Sequence, residues 1–203
     1  MTKQSDSTVR ELTPPDKTSD FLLSLQLIMK QICLAILVLS FLLNGCKKDN
    51  GPRLSGTDTI DNKLYGTGPY FALGFSFPAS NKISTLNSPL DVFTINAFPG
   101  NFNKTYFDAQ NFNNSFYRFG IYSDAAAAAL AFNSLTSFSV TQWKATGDSV
   151  KTNQIWLFRT SSDTYAKFRI TSIVGEIRES RPYVECTFEW VYQPDGSLTF
   201  PGK

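Results

Sequence analysis

Tyr165, Lys167, Arg169 and Thr171 alternate along one stretch, and a period of two puts their side chains on one face of a strand. A phenol, two cations and a hydroxyl on one face are groups that could bind an anionic group such as a propionate. Tyr165, Lys167 and Arg169 are therefore candidate ligand-binding residues, weighed against a plain solvated sheet face. Cys186 could be a thiolate ligand or nucleophile, but it alternates with Phe188 and Trp190, and a free cysteine on an apolar face packs as a small hydrophobe. Glu185 and Glu189 share the opposite face. Four residues at about 3.3 Å each separate them by about 13 Å, wider than the roughly 5–10 Å of a glycosidase pair. The chain has no histidine, and its two methionines are Met1 and Met29. Triads built on histidine are excluded, and two common metal and haem ligands are missing from everything after Met29. Neither a nucleophile–base pair nor a metal-ligand cluster is visible, so the chain reads as non-enzymatic, with no metal site.

The elements that must position these residues are mostly strands. Tyr70–Phe77 alternates with Phe71, Leu73, Phe75 and Phe77 on one face. Leu90–Phe98, a short strand around Tyr106, Ser115–Tyr122, Ser137–Trp143, Gln154–Arg159, Thr164–Ile173 and Tyr183–Gln193 follow. Thr160–Asp163 is expected to turn a hairpin. Pro194–Asp195–Gly196 is expected to turn Leu198–Phe200 back onto the last strand. One helix is predicted over about 124–134, capped by Ser123 or Asp124 and built on the alanine run Ala125–Ala129. The Asn- and Phe-rich segment 101–116 is read either as a binding loop or as a loop whose rings plug the core. The fold class is mostly β, an antiparallel, β-sandwich-like arrangement with one short helix. Net charge is +2 with the signs interspersed, which argues against a nucleic-acid partner.

Ahead of this domain, Met29-Lys30-Gln31 opens a short cationic start. An apolar run over Ile32–Leu43 follows, then Gly45, Cys46 and a polar stretch. That order is a secretory signal. Leu43-Asn44-Gly45-Cys46 resembles a bacterial lipobox, with Asn44 where Ala, Ser, Thr or Val is commoner. The resemblance implies diacylglyceryl transfer to the Cys46 sulfur and cleavage between Gly45 and Cys46. The alternative is an uncleaved span over Phe21–Leu43, which carries Lys30 within it. Residues 1–28 read as an extension ahead of the true start at Met29, 29–45 as the signal, 46–65 as a flexible tether and 66–203 as one β-rich domain. Asp58-Thr59-Ile60 and Asp148-Ser149-Val150 also resemble an O-glycosylation acceptor of some Gram-negative bacteria.

Ile155-Trp156-Leu157-Phe158-Arg159, Tyr165-Ala166-Lys167 and Phe188-Glu189-Trp190 leading to Gln193-Pro194-Asp195-Gly196-Ser197 resemble the C-terminal half of the HmuY-like lipoproteins. The resemblance covers about 154–200 plus the signal. It implies an all-β outer-membrane lipoprotein, either periplasmic or surface-exposed, that captures a ligand and meets an outer-membrane receptor. The best known members take haem through paired His or Met, which this chain cannot match, so haem would have to bind through Tyr, Cys or aromatic walls. The alternative is a carbohydrate- or protein-binding, or structural, accessory lipoprotein of the envelope.

Overall fold

The computed structural model describes residues 52–86, 91–98, 101–110 and 114–201. Cys46 and the signal lie outside the described residues. Two five-stranded antiparallel sheets face each other as a β-sandwich. The elements are β1 (Ser55–Asp61), β2 (Leu73–Ser76), β3 (Asn81–Ser84), β4 (Val92–Phe98), β5 (Asn101–Gln110), β6 (Phe116–Ile121), α1 (Ala125–Ser134), β7 (Thr146–Asp148), β8 (Gln154–Arg159), β9 (Tyr165–Arg178) and β10 (Arg181–Gln193). One sheet runs β1-β10-β9-β8-β6 and the other β3-β2-β4-β5-β7.

The inner faces meet in an aromatic core. Phe75 packs edge-on against Phe188 of the other sheet, and the Phe75–Trp190 and Phe93–Phe188 pairs are tilted, with centroids 5.3–5.5 Å apart. Aromatic pairs at such spacing add about 0.5–1.5 kcal/mol each beyond the burial of their area. The alternation expected in β10 holds: Val184, Cys186, Phe188, Trp190 and Tyr192 all point into this core.

A third layer covers the outer face of the β10-β9-β8 sheet. Helix α1, the extended chain after it and the C-terminal Phe200 pack over Ile155, Leu157 and Val191. This cover is why β8 is buried on both faces, Gln154 through Phe158. The helix starts where expected: Asp124 is its N-cap, and the carboxylate accepts a 2.9 Å bond from the Ala127 amide. Among the described residues no helix is long and apolar enough to cross a membrane.

Four expectations are corrected. The tether does not run to residue 65. Ser55–Asp61 is an edge strand paired with β10 from Ser55↔Val191 to Asp61↔Glu185. Only Ile60 of it is fully buried, and a strand wet on most of its surface has the polar composition of a linker. Ser137–Trp143 is not a strand; it crosses the outer layer as extended chain, held by one bridge at Ser137. Leu198–Phe200 does not fold back onto β10 but pairs there, with Phe138 N–H donating to Leu198 O and Phe200 N–H to Thr136 O. The strand around Tyr106 is ten residues long. Phe107 and Phe116 of the Asn/Phe-rich segment are fully buried core residues, so the core-plugging reading holds for both.

The unit Gly51–Lys203 is compact and carries both sheets with their cores, the property of a stretch that folds on its own.

Candidate functional site

The face of Tyr165, Lys167 and Arg169 exists, but it is roofed over. Lys167 is only 2% exposed. Its ammonium donates to Phe132 O in the last turn of α1 at 2.7 Å and to O of the C-cap Leu135 at 2.8 Å, and lies 4.7 Å from the Phe132 ring centroid. A cation there satisfies carbonyls that a helix end leaves without partners and opposes the negative end of its dipole. Arg169 pairs with Glu189 at 2.8 Å and reaches Ala125 O at 3.4 Å. The Tyr165 ring is stacked on Trp143 and packed edge-on against Phe138. The three candidates are brought together, but as the seam between sheet and helix. Lys167 is corrected from a ligand-binding to a structural residue, because the end of α1 takes its ammonium, while Glu189 of the neighbouring strand holds Arg169 and the Trp143 and Phe138 rings hold Tyr165.

Cys186 is completely buried, and burial pushes its thiol far above the ordinary range. It packs as a small hydrophobe and offers no accessible thiolate. Thr59 of the first glycosylation-like triplet sits in β1 with its hydroxyl 2.9 Å from that of Thr187. Ser149 of the second is exposed just beyond β7, at φ 58°.

The concave site lies elsewhere. A cleft of about 660 Å³ opens at one end of the sandwich, against cavities of about 330 Å³ beside Phe119 and 270 Å³ beside Trp156. Its size falls within the roughly 300–1,000 Å³ of small-molecule sites. Three segments far apart in sequence build it: Asn62–Leu64 after β1, Asn96–Ala97 at the end of β4, and Arg178–Tyr183 at the β9–β10 hairpin. Asn62 fixes the first to the third, since its amide donates to Pro182 O and its carbonyl accepts from Val184 N, both at 2.9 Å.

The lining carries Lys63, Arg178 and Arg181 against the single carboxylate of Glu179. Arg178 donates from Nε to Glu176 at 2.6 Å, and its guanidinium lies 3.4 Å from the Tyr183 ring centroid. Tyr183 donates its hydroxyl to Glu185 at 2.9 Å. Burial first, and that carboxylate second, push the phenol up to about 12. Glu179 and Ser180, at the hairpin tip, have φ of 50° and 63°. Two consecutive left-handed residues are the geometry of the tight hairpin turn that normally takes Asn-Gly, so the tip stores strain.

The cleft has a fixed relation to the chain's entry. Arg53 donates its backbone N–H to Ser80 Oγ, and Leu54 O accepts from Tyr192 N. The chain is thus bound to the sandwich at the β10 C-terminal end, while Asp61 pairs Glu185 at the other end, beside the cleft.

An iron porphyrin held by an axial ligand does not fit this cleft. The Tyr183 hydroxyl is committed to Glu185 and its pKa is moved away from tyrosinate, Lys63 is at the exposed rim with its ammonium over the Tyr65 ring, and Cys186 is sealed in the core. Among the described residues no group of three or more His, Cys, Asp or Glu could hold a metal ion. The fold and cleft define an antiparallel β-sandwich with a cationic recess at one pole. No protein-family model matches the chain, and no curated protein matches its sequence.

Sequence reasoning missed the cleft because no single segment carries it. The one available signal was Arg178, Arg181 and Tyr183 gathered at a predicted strand junction.

Proposed function

We propose that this chain is a lipid-anchored, non-enzymatic binding protein of the bacterial envelope, of the HmuY-like kind, held in the outer membrane by lipid on Cys46. Its sandwich presents the cleft beside the β9–β10 hairpin for ligand capture. The observation that carries this reading is polarity along the fold. The chain enters at the pole of Leu54 and Tyr192, and the cleft opens at the pole of Asp61 and Tyr183. Only Lys47–Pro52 separate Cys46 from the fixed Arg53, a leash of about 25 Å at most. Within the sandwich, the seven residues of β1 separate the chain's entry from the cleft by roughly 20 Å. A recess at the pole opposite the chain's entry is left open to a ligand, because the entering segment does not cover it.

A second reading is docking to a protein such as an outer-membrane receptor. Val174 and Ile177, 42% and 54% exposed on the projecting hairpin, favour it. A glycan finds less here, because Arg178 covers the Tyr183 ring that a sugar would stack on.

The anchor is tested by growing cells with an alkyne fatty acid and separating their membranes. The chain should take up label and sediment with the outer membrane, and Cys46→Ser should remove the label. Unlabelled wild-type chain would refute the anchor. Capture is tested by titrating haemin into residues 51–203. The expected result is no saturable Soret shift; a one-to-one shift would show an axial ligand and overturn the exclusion of haem.

A further inference from the structure

We infer that the cleft beside the β9–β10 hairpin is a site for a compact amphipathic anion, one carboxylate- or phosphate-type head on a small apolar body. Arg181 and Lys63 take the head, and Leu64, Ala97 and Pro182 take the body. This rests on the ligand-capture reading above and gives it a chemical class.

The argument begins with the arginines. Arg53 pairs with Asp58, Arg159 with Asp163, Arg169 with Glu189 and Arg178 with Glu176, while Arg118 donates to Asp148 O and lies over Trp156. Arg181 has no hydrogen-bond or ion-pair partner among the described residues, and it lines the largest of the three cavities described above. The ammonium of Lys63, on another lining segment, makes only a ring contact among the described residues, 5.2 Å from the Tyr65 centroid. Among the described residues neither cation is ion-paired, and with Arg178 neutralised by Glu176 the one lining carboxylate, Glu179, leaves the recess net positive; a guanidinium fork suits a carboxylate or phosphate.

Arg178 is not a third free charge. Glu176 neutralises it and Tyr183 holds it flat, so it shapes the wall and leaves Arg181 and Lys63 to bind. The left-handed turn at Glu179–Ser180 sets the strand on which Arg181 stands. The apolar share of the recess comes from Leu64, 51% exposed, with the half-buried Ala97 and Pro182. With the phenol ring covered, the body that fits is compact and aliphatic or lies edge-on.

The test uses residues 51–203 and two dyes with nearly the same body, 1-anilinonaphthalene-8-sulfonate and the neutral N-phenyl-1-naphthylamine. The anion should bind saturably, one to one, and the neutral dye at least about tenfold more weakly, the ratio that about 1.4 kcal/mol confers. Arg181→Glu and Lys63→Glu should each weaken the anion at least about tenfold. Arg181→Gln should weaken it too, covering the case in which charge reversal disturbs the hairpin. Lys82→Glu, exposed at the entry pole, should leave binding unchanged. Equal binding of the two dyes, indifference to Arg181→Glu and Arg181→Gln, or an equal loss in Lys82→Glu would overturn the inference. Displacement by octanoate, octyl phosphate or both assigns the head group; displacement by neither overturns it. Labelling of Cys46 is independent of these readouts. A labelled chain that binds no anion refutes this inference and leaves the anchor standing, and an unlabelled chain that binds refutes the anchor alone.

Discussion

Two regions of this molecule gather cations, and they do opposite things with them. On the outer face of β9, Lys167 and Arg169 lie under α1, where backbone carbonyls hold the Lys167 ammonium and Glu189 pairs with Arg169. At the far pole, Lys63 and Arg181 line an open recess with no carboxylate paired to either among the described residues. The first region turns charge into cohesion between layers; the second leaves charge available to a ligand. Residue type is the same in both. What differs is cover, and cover is decided by chain that lies elsewhere in the sequence.

That contrast predicts unequal responses to the same substitution. Lys167→Met keeps the apolar stem but strips two buried carbonyls of their charged donor, a loss of about 3 kcal/mol. Arg181→Met, on the exposed hairpin, should leave the urea midpoint where it is and change only ligand affinity. Equilibrium unfolding with matched m-values checks both. A Lys167→Met variant as stable as wild type would mean the seam is not held by that ammonium.

A smaller effect, of opposite sign, is expected at the hairpin tip. Glu179→Asn with Ser180→Gly supplies residues that accept left-handed backbone at little cost. The pair should stabilise the domain by about 1 kcal/mol and slow amide exchange at the tip. If stability falls instead, the turn's side chains make contacts that matter more than its backbone strain.

The sequence was most informative where one segment decided its own environment. Val184, Cys186, Phe188, Trp190 and Tyr192 alternate and all enter the core, so β10 and the inert Cys186 were readable from a period of two. Asp124 and the alanines placed α1 for equally local reasons. Tyr165, Lys167 and Arg169 were correctly put on one face, but periodicity says only that a face is polar, not whether a helix will sit on it. β1 was hidden because an edge strand with a single fully buried residue is written in Thr, Asp, Ser and Gly. The cleft was hidden more deeply, since Lys63, Ala97 and Arg181 meet only after both sheets have formed and the β9–β10 hairpin projects past them.

The smallest effect separates the two regions by pH. Tyr183 at the cleft has its phenol raised to about 12 from an ordinary value of 10. A group whose folded pKa is raised contributes stability that is fully present below the unfolded value and lost as pH climbs through the folded one. Between about pH 10 and 12 the unfolded chain releases this proton and the folded chain keeps it, so stability should decline across that window. Tyr183→Phe has no proton to lose there and should flatten that part of the decline, while being nearly silent at pH 7. Lys167→Met should lower the whole curve without removing the slope from Tyr183. Absorbance titration at 295 nm should show one late-ionising tyrosine absent from Tyr183→Phe. If Tyr183 instead titrates near 10, its hydroxyl is not shielded beside Glu185, the recess is wetter than its geometry shows, and Arg178 is not locked against the ring. Arg178 would then join Arg181 and Lys63 as a binding charge, and the division of labour within the cleft would have to be redrawn.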